Sequence, residues 1–268
     1  MARNLKPLYW FSLLIAALMV GCSLAGLLFP DTFYPTPELQ HSYLANDVFT
    51  LLLGLPILLI SMWLTWRGKP TKISLIGLLF WPGALLYGLY NYLAYLFGMP
   101  FQGLFFLYLI TVVLSVYTLI ALVAAIDGGS VKEQLNGRVP ERLGGSVLIL
   151  LGGLYILLAS SMLISNLSGQ ASLPQSELAV FVADFIIAPA WVIGGVLLWR
   201  RRPLGYVAGT GLLFNASMLF VGVIGIVLLQ ALIEGVPFPF SDFFVLLGMG
   251  LICFIPLGLF IRGILGEE

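Results

Sequence analysis

Apolar residues along this chain fall into eight long runs separated by short polar stretches. The runs lie at about 8–29, 48–66, 73–97, 101–126, 146–164, 178–199, 204–232 and 243–261. Each run is long enough to cross a hydrocarbon layer of about 30 Å as a helix. Apolar residues make up 60% of the chain and charged residues only 9%, far from the roughly 25% charged residues of a soluble domain. The pattern predicts an all-α integral membrane protein with eight transmembrane helices.

The charged residues predict the orientation of these helices. All twelve basic residues lie in segments that face one side, namely Arg3, Lys6, Arg67, Lys69, Lys72, Lys132, Arg138, Arg142, Arg200, Arg201, Arg202 and Arg262. The other side holds no basic residue and seven acidic ones, namely Asp31, Glu38, Asp47, Glu177, Asp184, Glu234 and Asp242. Basic segments are retained in the cytoplasm during insertion, so we expect both termini there, in a cell membrane. The acidic outer side follows from the same retention, or it concentrates cationic ligands at a mouth.

The short loops leave no room for a soluble catalytic domain, so any function lies in the helical bundle or at its two rims. His41 is the only histidine, which speaks against multi-histidine metal or haem sites. No glycine-rich phosphate loop precedes a Lys-Ser or Lys-Thr pair. The sequence identifies no cofactor, and we expect the lipid bilayer and no nucleic acid as a partner.

The first run allows a second interpretation. Its basic start and apolar core end in Met19-Val20-Gly21-Cys22, which resembles a bacterial lipoprotein signal peptide that is cleaved before a lipidated cysteine. The residue three positions before Cys22 is Met19 where leucine is usual, and the chain stays apolar to Phe29. An ordinary first transmembrane helix is therefore favoured, with Cys22 and Cys253 as small apolar side chains.

Two segments of the chain resemble each other at a nearly constant offset. Pro56 is followed by Trp66-Arg67-Gly68-Lys69-Pro70, and Pro189 is followed at the same distance by Trp199-Arg200-Arg201-Arg202-Pro203. The similarity continues as Gly77-Leu78-Leu79-Phe80 against Gly211-Leu212-Leu213-Phe214. It predicts a tandem 4+4 repeat with halves at 1–126 and 146–268 and a cytoplasmic linker at 127–145. Because each half has an even number of helices, the halves would be parallel and related by an axis normal to the membrane.

Asp184 is the ionisable residue that these boundaries place well inside a helix. A helix that starts near Ser176 and Glu177 carries it about two turns into the membrane, or roughly 10 Å. Carboxylates at such depth are costly and usually face a cavity or a partner. Pro189 follows five residues later and leaves a backbone carbonyl free. Asp184 therefore either binds a cation, a proton or an amine, or pairs with a tyrosine or asparagine of a neighbouring helix.

The third run supplies polar side chains at the same depth. Tyr87, Tyr90, Asn91 and Tyr95 follow an i, i+3, i+4, i+8 spacing, which predicts that they share one helical face. With Asp184 they would form an aromatic pocket that suits a cationic ligand. The alternative is that these tyrosines are ordinary residues of the membrane interface.

Two further features have structural interpretations. Asn46-Asp47 and Ser241-Asp242 directly precede the second and eighth runs, and we expect them to be N-caps. The seventh run is rich in glycine and alanine, which predicts a central, tightly packed helix.

The leading functional hypothesis is binding or transport of a small, cationic or amphiphilic molecule between the two halves, with Asp184 as the anchor. A second hypothesis is a membrane subunit or sensor that acts through a protein partner at the basic rim, notably Arg200–Arg202 and the 127–145 linker. A lipid-modifying enzyme is the weakest hypothesis, because no nucleophile and base are evident.

Overall fold

The computed structural model describes residues 4–66, 71–101, 103–234 and 238–266, and the secondary structure of these segments is helical without strands. In chain order the helices are α1 (Lys6–Leu28), α2 (Pro30–Phe33), α3 (Pro37–Phe49), α4 (Leu55–Trp66), α5 (Lys72–Gly98), α6 (Phe105–Ala125), α7 (Gly128–Leu135), α8 (Glu141–Leu167), α9 (Gln175–Trp199), α10 (Pro203–Glu234) and α11 (Phe240–Leu265). A π-helical turn, Thr50–Gly54, joins α3 to α4.

The prediction of eight helices that are long and apolar enough to span a membrane is confirmed for the part of the chain that the structure describes. The spans are α1, the continuous segment Pro37–Trp66, α5, α6, α8, α9, α10 and α11. The second span differs most from the prediction, since it begins at Pro37 and not near residue 48. Thr36 caps α3 by accepting the backbone N–H of Leu39, and proline is favourable at the first helical position.

The basic ends of the helices lie together at one end of the bundle, which we call the basic end. Lys72 Nζ at the start of α5 donates to the carbonyl oxygens of Leu265 and Gly266 at the end of α11, at 3.3 and 2.5 Å. The basic ends of α8 and α10 are joined by a hydrogen bond from Tyr206 to Glu141. These contacts fit chain segments that cross the membrane in alternating directions.

The opposite, acidic end is held together by hydrogen bonds between neighbouring helices. The Ser176 hydroxyl donates to Glu38 Oε1 at 3.3 Å, and Gln230 Nε2 donates to the carbonyl oxygen of His41 at 3.2 Å. Of the residues predicted to face the basic side, Arg3, Arg67, Lys69 and the residues around them lie outside the described part of the chain.

Helix α5 forms the centre of the bundle and packs against α4, α6, α9 and α10. In its apolar segment 78% of the residues are buried, against 28–44% in the other spans. The small residues of α10 do bring it close to α5: a Cβ atom at Gly83 of α5 would overlap the carbonyl oxygen of Gly211 of α10. The predicted packing of the seventh span is thus found, although α5 is more deeply buried.

The segment 127–145, predicted as a linker, contains a helix of its own. Asp127 caps α7 by accepting the backbone N–H groups of Gly129 and Ser130. The Ser130 hydroxyl, which also donates to this carboxylate, and these N–H groups hold the pKa of the exposed Asp127 side chain below its ordinary value. Val131 and Leu135 are fully buried, and α7 packs against α10.

The turn between α9 and α10 contains a residue in a left-handed conformation, Arg201, with φ of 54°. Only glycine adopts this region without a steric cost of about 1 kcal/mol. We therefore expect Arg201→Gly to be more stable than Arg201→Ala by about 1 kcal/mol, measured as the free energy of unfolding in a denaturing-detergent titration. At Arg200, where φ is −82°, the alanine variant should be more stable than the glycine variant. The same order of stability at both positions would show that the left-handed backbone of Arg201 does not determine it.

Candidate functional site

Asp184 of α9 meets one of the residues predicted to lie beside it. The Tyr90 hydroxyl of α5 donates to Asp184 Oδ1 at 2.9 Å, and only 7% of Asp184 is exposed. The two residues meet because the directions of their helices place them at the same depth. The contact fits both interpretations from the sequence, since Asp184 pairs with a neighbouring tyrosine that itself lines a cavity.

That cavity has a volume of about 210 Å³ and lies between α3, α5, α9 and α10 towards the acidic end. Tyr87, Tyr90 and Asn91 of the predicted site belong to its lining. Asp184 and Tyr95 are not among the lining residues. Further polar groups reach it from α3 and α9, namely Ser42, Tyr43, Asn46, Ser176 and Glu177.

Two features of the cavity wall bear on its chemistry. Asn91 is buried, and its Nδ2 donor lies within reach of Tyr87 without forming a hydrogen bond of ordinary geometry. Glu177 is exposed and lies seven residues before Asp184 on α9, with Val180 between them. Residues at i, i+3 and i+7 share a helical face. The face of α9 that meets the cavity therefore has the carboxyl group of Glu177 at the surface and that of Asp184 two turns deeper.

Tyr95 lies on a different side of α5. Its hydroxyl donates to Asp47 Oδ1 at 2.8 Å. Successive residues of a helix are rotated by about 100°, so Tyr95 points about 140° away from Tyr90. The predicted face is therefore divided: Tyr87, Tyr90 and Asn91 reach the cavity, whereas Tyr95 reaches Asp47.

The prediction that Asp47 is an N-cap is wrong. Asp47 is the eleventh residue of α3 and is only 2% exposed. Its Oδ2 accepts the Tyr34 hydroxyl at 2.6 Å, while its Oδ1 accepts Tyr95. The signal that was missed is Thr36-Pro37-Glu38, which has a capping residue, a first-turn proline and an acidic residue in order. Asp184 is thus not the only carboxyl group deep within a span.

Five tyrosines surround Asp47, and we call them the tyrosine cage: Tyr34, Tyr43, Tyr92, Tyr95 and Tyr108. Their rings contact each other with centroids 4.7–6.0 Å apart. Among the described residues, lysine and arginine side chains lie at the basic end, and none forms an ion pair with Asp47 or Asp184. Both buried carboxylates are therefore held by tyrosine hydroxyl groups.

The second N-cap prediction is also wrong. Helix α11 begins at Phe240, the residue before it is Pro239, and no side chain caps it. Ser241 and Asp242 lie in the first turn, where a carboxylate still interacts favourably with the helix dipole.

Comparisons of the chain with protein-family models, with curated proteins and with solved structures found no match. The function has to be argued from the residues of this chain.

Proposed function

We propose that this multi-pass membrane protein binds a small cationic molecule in the cavity between α3, α5, α9 and α10, as a carrier or a receptor for it. The observation that carries the proposal is the lining, which joins the rings of Tyr87 and Tyr90 to the carboxyl group of Glu177. Aromatic faces and a carboxylate together favour ammonium groups. The volume of about 210 Å³ is below the roughly 300–1,000 Å³ of sites for drug-sized ligands, which favours a ligand of few atoms.

Each polar group has a role in this proposal. Glu177 attracts the cation at the mouth, and the ring of Tyr87 contacts it inside. Asp184 acts through Tyr90, because its carboxylate fixes the hydroxyl of a ring that lines the cavity. The Nδ2 of Asn91, which forms no hydrogen bond of ordinary geometry and lies within reach of Tyr87, would donate to a hydroxyl, ether or carbonyl oxygen of the ligand. The favoured ligand therefore carries an ammonium group and a hydrogen-bond acceptor.

The proposal includes two repeated halves with the cavity between them. Helices α3 and α5 belong to the first half, and α9 and α10 to the second. Phe80 and Phe214, which are equivalent under the offset of 134 residues, stack with ring centroids 4.3 Å apart and planes 15° apart. Contact between equivalent residues is expected beside a two-fold axis. Cytoplasmic termini, a cell-membrane location and a basic end in the cytoplasm belong to the same proposal, supported by the distribution of basic residues.

Thermal unfolding of the detergent-purified protein tests the binding. The panel consists of tetramethylammonium, short alkylamines and amino alcohols, with metal cations, quinones and lipids for comparison. A ligand that binds the folded state raises the melting temperature, and we expect this for the ammonium compounds. Glu177→Gln should weaken binding by about tenfold, because a near-surface charge contributes on the order of 1–4 kcal/mol at contact distance. Asp184→Asn should also weaken it, since the Asn side chain holds Tyr90 without a charge.

Asp242→Asn is the matched control, because Asp242 is an exposed carboxyl at the acidic end and not part of the cavity lining. It should bind ammonium compounds as the wild type does. Binding of ammonium compounds by Glu177→Gln and Asp184→Asn that equals binding by the wild type would contradict the proposal. A panel in which no compound raises the melting temperature of the wild type would contradict it too. In the latter case, co-purification of a second protein that depends on Arg200–Arg202 would favour the subunit hypothesis instead.

A further inference from the structure

The tyrosine cage holds a buried carboxyl group that plays no part in the cavity. We propose that Asp47 is an intramembrane proton-binding site, which takes up and releases a proton while the protein stays folded. This inference is independent of the proposed ligand, because it rests on the surroundings of Asp47 alone.

The first argument is the cost of a charge at this position. Asp47 is 2% exposed and lies ten residues beyond the start of α3, or about 15 Å along the helix axis. A carboxylate removed from water without a cation is strongly disfavoured and tends to become neutral. No lysine or arginine of the described segments lies within ion-pair distance. Two tyrosine hydroxyls offset part of this cost, so both protonation states are accessible.

The second argument concerns the groups that would accept a hydrogen bond from Asp47 once it is protonated. A protonated carboxyl group becomes a donor and needs an acceptor. Ser23 Oγ, Thr50 Oγ1 and the Tyr108 hydroxyl are buried near this region and form no hydrogen bond of ordinary geometry, although Ser23 lies within reach of Asp47 and Tyr108 within reach of Tyr34. Ser23 and Tyr108 lie beside Asp47. Hydroxyl groups rotate and act as either donor or acceptor, so the cage can form hydrogen bonds with the carboxylate and with the carboxylic acid.

The third argument favours a proton over a metal cation. Both carboxylate oxygens already accept hydrogen atoms from Tyr34 and Tyr95, and a cation would face those hydrogens. Space is also absent on the side of α1, where a Cβ atom at Gly26 would overlap Asp47 Oδ2 and the Tyr34 hydroxyl. A proton adds to one oxygen and needs no such space.

The structure also connects the cage to an exposed residue of the acidic end. Tyr34 directly follows α2, and its carbonyl oxygen accepts Gln40 Nε2, which also donates to the exposed Asp31. The Tyr34 hydroxyl meets Asp47 on the inner side. In such a relay the Tyr34 hydroxyl would give its proton to Asp47 Oδ2 and its oxygen would take up a proton that comes from water at the acidic end, which leaves the tyrosine and the carboxyl group both uncharged.

The other titratable groups around Asp47 are few. They are Cys22 of α1, Tyr34, Tyr43 of α3, Tyr92 and Tyr95 of α5, and Tyr108 of α6. Glu38 and His41 lie on the exposed first turns of α3. Because thiols and phenols ordinarily release protons only in the alkaline range, Asp47 is the group of the cage that titrates in acidic to neutral solution.

Difference infrared spectroscopy of the purified full-length protein, titrated from alkaline to acidic pH, tests the inference. We expect the C=O stretching band of a protonated carboxyl group to appear reversibly as the pH falls. Because the other carboxyl groups add their own C=O bands on acidification, we expect Asp47→Asn to lose one component of the band and Asp184→Asn to keep that component. Retention of the whole band in a folded Asp47→Asn protein would overturn the proposal, as would the absence of any such band in the wild type.

Tyr95→Phe provides a second readout if Asp47→Asn does not fold. It removes one hydrogen bond to the carboxyl group and should move the C=O band to higher frequency, because hydrogen bonding weakens that bond. Tyr117→Phe is the control, since Tyr117 of α6 is 70% exposed and lies outside the cage. An unchanged band frequency in Tyr95→Phe would overturn the assignment of the proton to Asp47.

Discussion

Gly83→Ala should destabilise the folded protein by about 3 kcal/mol, the upper end of what overpacking of a core costs. An added Cβ atom would overlap the carbonyl oxygen of Gly211 and lie 3.0 Å from the ring of Phe214. Because the obstacle includes backbone, α5 and α10 would have to separate, and the stacked rings of Phe80 and Phe214 would separate with them. The free energy of unfolding in a denaturing-detergent titration measures the loss.

Gly88→Ala on the same helix is the matched control for Gly83→Ala. Its Cβ atom would lie 3.6 Å from Met19 Sδ, an ordinary van der Waals distance. Alanine also has a higher helix propensity than glycine, by about 1 kcal/mol, so Gly88→Ala should be neutral or slightly stabilising. Equal destabilisation by the two substitutions would show that close contact between α5 and α10 does not account for the effect.

The eight spans could be predicted from the sequence because a membrane-spanning helix needs a particular length and composition. A helix in lipid has to be apolar for about twenty residues, and basic residues collect on one side. Both features are visible without knowledge of packing. The same reasoning explains why Asp184 and Tyr90 could be placed together: helix direction fixes depth, and depth limits the possible partners.

Hydropathy predicts a start of the second span that is eleven residues too late, because the first turns of this span are polar. When only hydropathy is considered, these turns resemble a loop, because they contain the polar residues Glu38, Gln40, His41 and Asn46. Packing changes this assignment, since α3 lies against α1 and α10 and its polar groups meet side chains of neighbouring helices. Asp47 therefore resembles a surface cap when only hydropathy is considered, although the capping residue of this helix is Thr36.

The division between the cavity and the tyrosine cage could not be predicted from spacing alone. An i, i+3, i+4, i+8 pattern spans an arc of about 140° on a helix, and a central helix has neighbours on every side. Tyr90 meets α9, whereas Tyr95 meets α3. Only the arrangement of neighbouring helices decides which tyrosine lines which site. Tyr43 borders both, because it lines the cavity and its ring contacts Tyr95 at 4.7 Å.

Glu141→Ala should cost about 3 kcal/mol of stability, as expected when a buried charged group is removed from its partners. Glu141 is 3% exposed, and its Oε1 accepts both the Tyr206 hydroxyl and the Gly137 N–H at 2.9 Å. Its Oε2 lies 3.7 Å from the guanidinium group of Arg201. The substitution would leave the Gly137 N–H and the Arg201 guanidinium group without this acceptor, and Tyr206 with Asn136 Oδ1 alone at 3.0 Å, which would loosen the segment 127–145 against α10.

Limited proteolysis separates local release of this segment from general loss of stability. Trypsin should cleave Glu141→Ala faster than wild type at Lys132 and Arg138, because local opening exposes a backbone that is otherwise held by α7 and its buried Val131 and Leu135. Glu133→Ala is the matched control, since Glu133 is an exposed residue of α7, and surface substitutions usually change stability by less than about 0.5 kcal/mol. Unchanged cleavage in Glu141→Ala would mean that the buried faces of α7, and not the carboxylate, hold the segment against the bundle.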